Sequence, residues 1–163
     1  MTLLAKKADV GMGTIYRYFK NKEEVINELY KELKGEINSA IRQNLSSKET
    51  PVREQFISIF GSLLRFYIQH PQKFRFLEQY SYSPFISCST RKEVSSVCIE
   101  PLISFFEYGM KCQVIKDLPT ELIFAMASGP VICLAKMHLA GEINLDDEMI
   151  RSAIETSWDA LKK

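Results

Sequence analysis

Residues 14–22, Thr-Ile-Tyr-Arg-Tyr-Phe-Lys-Asn-Lys, gather hydroxyls, phenols and cations in one short stretch. Thr14, Tyr16, Arg17, Tyr18, Lys20 and Lys22 offer hydrogen-bond donors and positive charge, the chemistry that holds phosphate oxygens. Ile15 and Phe19 stand four apart, so they share one face and pack inward while the polar groups fall on the other faces. The spacing predicts a tight turn at Val10–Gly11, which Gly11 permits, and a helix from Gly13 to Phe19 opened by Thr14. A helix of two turns does not hold in water unaided, because nucleation is costly. It must dock on neighbours and display its polar face while docked. Asn21 is a good N-cap for the next helix, and Glu24 three residues on completes a capping-box pattern. Lys22 at that helix start opposes the dipole, which is explained if a phosphate sits near the same N-terminus.

Other chemistry is missing from the sequence. There is no G-x-x-x-x-G-K-[ST], G-x-S-x-G, H-E-x-x-H or EF-hand spacing. His70 and His138 lie far apart, without Asp or Cys at ligand spacing, so no metal site, cofactor or catalytic group is expected. Cys88, Cys98, Cys112 and Cys133 show no C-x-x-C and read as reduced thiols of a cytoplasmic protein. No apolar run reaches the ~18–20 residues that a bilayer span needs, so no membrane partner is expected.

The elements that must position residues 14–22 are helical. Apolar residues recur at three and four, and two-residue alternation is rare, which predicts an all-α chain. Thr2 to Asp9 reads as a helix with Leu4, Ala5 and Ala8 inward. A long helix follows from Lys22 to about Leu45, with Val25, Ile26, Leu29, Tyr30, Leu33, Ile37, Ala40, Ile41 and Leu45 on its apolar face. Gly35 weakens it and marks a bend or a close approach. Ser46–Thr50 reads as a linker, dividing the chain into residues 1–45 and residues 46–163. Pro51 takes the first position of a helix that Pro71 stops at His70. Pro71 opens a short helix with Phe74, Phe76, Leu77 and Tyr80. Thr90 caps a helix from Arg91 to about Gln113, kinked at Pro101. Two helices close the chain, from about Pro119 to Leu139 with a bend at Pro130, and from Asn144–Asp147 to Lys162.

These last two helices carry more apolar surface than one small body needs. Ala125, Gly129 and Cys133 form a small-residue stripe, and Ile150, Ala153, Ile154, Ser157, Trp158 and Leu161 line one face. The expected arrangement is a four-helix interface in a homodimer, through Ala125, Gly129, Cys133, Ile150, Ile154, Trp158 and Leu161. In the middle of the chain aromatic rings cluster: Phe60, Phe66, Tyr67, Phe74, Phe76, Tyr80, Tyr82, Phe85, Phe105, Phe106 and Tyr108, with Cys98 and Met110. Kinked helices bearing bulky rings enclose a cavity suited to a small apolar molecule. Phe60, Tyr67, Phe74, Tyr80, Phe105, Phe106 and Tyr108 are the candidates to line it, and Arg65, Glu78 and Glu107 are the charged residues nearest in sequence.

Charge is uneven. The 163 residues carry a formal net charge of +1. Residues 1–22 hold Lys6, Lys7, Arg17, Lys20 and Lys22 against Asp9 alone, a local +4 that leaves −3 elsewhere. A basic end on a mildly acidic body fits a local anionic partner, and the phosphate backbone of a duplex is the natural one.

Ala5, Ala8, Val10, Gly13, Thr14, Ile15, Tyr16, Tyr18, Phe19, Lys22, Glu23 and Glu24 together resemble the helix-turn-helix core of the TetR family of bacterial transcriptional regulators. The resemblance runs from Ala5 to Glu24; the rest of the chain is similar only in helical layout. It implies a ligand-responsive DNA-binding regulator, most often a repressor. It also implies a homodimer that places two recognition helices in the major groove of a near-palindromic operator. By this resemblance Thr14, Tyr16, Tyr18 and Lys22 hold phosphates, with Lys20 beside them. Met12, Gly13 and Arg17 lie near base edges, Arg17 being suited to a bidentate guanine contact. An apolar or aromatic effector in the body would shift the spacing of the two heads. One departure stands out: the family has a full helix ahead of this core, whereas this sequence starts inside the following one. The head is therefore expected to be incomplete and to bind DNA weakly. A different reading of the same helices is a carrier that sequesters an apolar compound without touching DNA; stoichiometric ligand without promoter occupancy would favour it.

Overall fold

The computed structural model describes residues 1–45 and 50–163, and of Cys98 the backbone alone. Among the described residues the regular elements are helices, with one isolated bridge between Ile115 and Lys162. They are α1 (Thr2–Lys7), α2 (Met12–Tyr18), α3 (Lys22–Asn44), α4 (Val52–Gln69), α5 (Pro71–Tyr80), α6 (Cys88–Val94), a π-helical turn (Ser95–Ile99), α7 (Glu100–Lys111), α8 (Thr120–Leu139) and α9 (Asp147–Leu161). The all-α expectation is met. Ser46–Glu49, most of the expected linker, lie outside the described residues.

α4 is the hub, packing on α3, α5, α8 and α9. Phe56, Ile59, Phe60 and Leu64 recur at three and four and are almost fully buried. Phe56 meets Phe60 at 4.5 Å and Trp158 of α9 at 5.3 Å between ring centres, and Phe60 stacks on Phe106 of α7 at 6.2 Å. Burying each such ring contributes about 1.5–3 kcal/mol, so these rings tie α4, α7 and α9 together.

α3 leans its stripe of Ile26, Tyr30, Leu33, Ile37 and Ile41 on this centre. Leu29, expected on the stripe, lies at its flank and is exposed. Gly35 does not mark a close approach: a Cβ there would meet no atom within 4 Å. Pro51 is the N-cap of α4, one position before the predicted one. The helix expected from Arg91 to Gln113 begins earlier, at Cys88, ends at Lys111, and is interrupted by a π-helical turn. Ser87, not Thr90, caps α6, its hydroxyl accepting from Thr90 N–H at 3.1 Å. At Pro101, the expected kink, a π-helical turn lies just ahead, and Pro101 falls in the first turn of α7, a position that proline tolerates.

Past α7 the chain turns at Gln113, φ +60°, and runs beside the C-terminus. Lys116 N–H donates to the Leu161 carbonyl at 2.9 Å, and Lys163 N–H to the Val114 carbonyl at 3.1 Å. Ile115 is thereby pressed onto α7, and only a glycine at 109 leaves it room: a Cβ there would stand 2.5 Å from Ile115 Cδ1.

α8 departs from expectation. The helix is 20 residues long and its most apolar window has a mean hydropathy of 1.6, long and apolar enough to cross a membrane, yet only 22% of that window is buried in this fold. One side packs on α4, α7 and α9. Leu122, Ala125, Met126, Gly129 and Cys133 remain exposed on the other.

Candidate nucleic-acid interface and effector cavity

The head is built by local hydrogen bonding more than by packing. α1 ends at Lys7, and the left-handed residue of the turn is Asp9, φ +53°, not Gly11. Aspartate is among the side chains that tolerate this region. Val10 N–H closes the turn on the Ala5 carbonyl at 3.1 Å. Gly11 is instead the extended N-cap of α2, which starts at Met12 and leaves Phe19 just outside; Thr14 thus sits within the helix and does not open it. Ala5 and Ile15 are the buried pair between α1 and α2, whereas Leu4 and Ala8, expected inward, are exposed. α1 is six residues long and, among the described residues, packs chiefly on α2, which leaves them uncovered.

With Ile15 turned inward, the rest of α2 faces out. Gly13, Thr14, Tyr16, Arg17, Tyr18, Lys20 and Lys22 are all exposed, Tyr18 by 70%, and Met12 is half-buried. Asn21 caps α3 as predicted, its side chain accepting from Glu24 N–H at 2.8 Å. Glu24 answers one residue earlier than the capping-box pattern, its carboxylate accepting from Lys20 N–H at 2.5 Å. The chain between α2 and α3 is therefore pinned, and Lys20 and Lys22 project from a rigid corner.

The second site is a cavity of about 290 Å³ enclosed by α3, α4, α5, α6, the π-helical turn, α7 and α8. Its floor is apolar and buried: Phe60, Leu63, Phe74, Leu77 and Leu102. Its rim is polar and more open, with Lys34, Ser81, Tyr82, Arg91 and Ser95. Tyr67 also lines it. Burial, then the nearby Glu78 and Tyr30, raise the Tyr67 phenol well above its usual range, so it is neutral and keeps its proton. Among the described residues no hydrogen bond is made by that hydroxyl. Glu78 lines the cavity too, held in an ion pair with Lys136 of α8.

Three expected lining residues, Phe60, Tyr67 and Phe74, are brought together there. Four are not. Phe105 and Phe106 are core rings packed on each other at 5.4 Å. Tyr80 packs against Phe76 and Phe85. Tyr108 faces Cys112, whose hydrogen bond raises the phenol's pKa. Arg65 lies on the surface, donating twice to Asp147 at 2.7 and 3.0 Å, and Glu107 is exposed; of the three charged candidates only Glu78 reaches the cavity. The residues missed are Lys34 and Arg91. Both sit on polar helical faces, where nothing in the spacing distinguishes them from solvated charges.

The expected dimer residues also divide. Ala125, Gly129 and Cys133 are exposed, and a Cβ on Gly129 would meet nothing. Ile150, Ile154, Trp158 and Leu161 are buried in the subunit's own core, against α4 and α8, and are not available to a partner. His138 is a structural residue: its Nδ1 accepts from Leu145 N–H at 3.2 Å at the approach to α9.

Residues 1–29 match the family model described as bacterial regulatory proteins, tetR family, and residues 51–162 match that of the tetracyclin repressor-like C-terminal domain. The chain belongs to the TetR family. An HTH-type transcriptional regulator of Haemophilus influenzae is 27% identical over 165 residues, covering 100% of this chain and 84% of its own length. The structure of a TetR-family regulator from Marinobacter aquaeolei superposes with a TM-score of 0.88 at 23% identity, over 98% of this chain and 82% of that one. The regulator FadR of Bacillus subtilis, solved in complex with stearoyl-CoA, gives a TM-score of 0.72 at 18% identity, over 95% and 82% of the two chains. This TetR-family chain is a DNA-binding transcriptional regulator.

Proposed function

We propose that the chain is an effector-released repressor, working as a homodimer on a near-palindromic operator. The observation that carries this is the exposure of α2. Residues 13, 14, 16, 17 and 18 form an outward polar face on a helix held from behind by Ile15. In the proposed complex α2 enters the major groove. Thr14, Tyr16, Tyr18, Lys20 and Lys22 take phosphates, and Met12, Gly13 and Arg17 face base edges.

The second subunit belongs on α8. A helix apolar on all sides needs cover on all sides, and the exposed Leu122, Ala125, Met126, Gly129 and Cys133 are what a second copy of α8 would cover. α9 adds exposed Met149. The effector belongs in the cavity, and α3, which forms one wall and carries Lys22 at its start, is the lever between the two sites. A coupling of about 1–3 kcal/mol changes operator affinity roughly 5–150-fold.

Enrichment of duplexes from a random pool tests this reading. A near-palindrome bound by two subunits is expected. One apolar ligand bound per chain with no duplex enriched even at low salt, where a weakly binding head still holds DNA, would favour the carrier reading instead.

A further inference from the structure

We infer that the effector is an acyl chain with an acidic head, and that Arg91 reads the head. The inference rests on the cavity being the effector site. The floor of Phe60, Leu63, Phe74, Leu77 and Leu102 offers no charge and suits an alkyl chain. A volume of about 290 Å³ lies at the lower end of small-molecule sites, which suits a chain of medium length. The charges that line the cavity are Lys34 and Arg91 against Glu78, and the Glu78 carboxylate is already paired with Lys136. Arg91, whose guanidinium is bonded to neutral carbonyls, therefore brings positive charge to the rim. The neutral Tyr67 hydroxyl adds a donor with no partner among the described residues.

Arg91 also ties the rim to the rest of the molecule. Its guanidinium has five N–H donors. One goes to the Ser81 carbonyl and one to the Ser83 carbonyl, both at 2.6 Å. The loop so held runs on to Phe85 and Ser87, whose backbone is gripped by Asn27 of α3. An anion on the remaining three donors draws on the same guanidinium that holds those two carbonyls. It thereby alters the hold on a loop that α3 shares.

Calorimetric titration of the full chain with decanoate, decanoyl-CoA and decanol tests this. One charge-assisted contact predicts that at least one of the acidic ligands binds about ten-fold or more tightly than decanol. Arg91→Gln should erase that preference, so that within this variant the acidic ligands bind no more tightly than decanol. Preference for decanoate alone assigns the head to a free carboxylate, and for decanoyl-CoA alone to the phosphates of its coenzyme A moiety; both support the inference. Equal affinity for all three, or a preference that survives in Arg91→Gln, overturns it while leaving the cavity as the effector site. Binding of none of them overturns the effector-site reading as well. If circular dichroism shows Arg91→Gln unfolded, Lys34→Gln decides: a weakened preference supports a cationic rim, and an unchanged one overturns it.

Discussion

Asn27 holds Phe85 from 58 residues away: its side-chain Nδ2 donates to the Phe85 carbonyl oxygen at 2.8 Å. The same side chain's amide oxygen accepts from Ser87 N–H at 2.9 Å, and Nδ2 also reaches the Glu23 carbonyl at 2.7 Å. One buried side chain thus joins the first turns of α3, which carry Lys22, to the loop on the cavity rim. Asn27→Ala leaves these backbone groups without their partner and should cost about 1–3 kcal/mol, read as a lower urea midpoint. It should also leave effector affinity near wild type while weakening the effector's influence on DNA affinity. Full effector response in a destabilised Asn27→Ala protein would show that the signal travels elsewhere.

Gly109→Ala is expected to destabilise the fold. The added Cβ would stand 2.5 Å from Ile115 Cδ1 and 3.3 Å from Val52 Cγ1, and Ile115 is locked by the backbone bonds of its neighbours to residues 161 and 163. Overpacking of this kind costs about 1–3 kcal/mol. Chemical denaturation measures it, and an unchanged midpoint would mean that Ile115 moves freely.

Gly35→Ala should do the opposite. Gly35 lies inside α3, and a Cβ added there would meet no atom within 4 Å, so alanine gains about 1 kcal/mol of helix propensity without a clash. A loss of stability would reveal a partner at that face in solution.

Two substitutions separate the subunit core from the proposed interface. Trp158→Ala removes a ring packed 5.3 Å from Phe56 and should cost about 3–5 kcal/mol whatever the oligomeric state. Met126→Arg places a charge on the exposed side of α8, where it should leave the helical spectrum intact and shift sedimentation from dimer to monomer. A Met126→Arg protein that sediments as the wild type does would move the interface off α8.

Much of this was legible in the sequence because periodicity reports burial. The stripes of α3, α4 and α9 were visible at three and four, and Asn21 and Pro71 announced helix starts. What periodicity leaves open is the partner. Ile150, Ile154 and Trp158 form a buried stripe whether the cover is another subunit or α4, and here it is α4 and α8. The cavity was half legible for a similar reason. Phe60, Tyr67 and Phe74 line it, yet Phe106 of equal apolarity fills the core, because only the crossing of α4 and α7 decides which rings meet. Arg91 and Asn27 gave no signal at all, since their roles arise from a loop that returns to α3 from far along the chain.

The central claim is that α2 reads DNA by its outward face, and Arg17 against Lys22 tests it most directly. Fluorescence anisotropy on enriched duplexes, with single-base changes and a salt series, gives both readouts. Arg17→Ala should cost about 1–3 kcal/mol and relax preference at one operator position, while Lys22→Ala should weaken all sequences alike and lower the salt slope by about one unit. Unchanged affinity, base preference and salt slope in both variants would contradict the account.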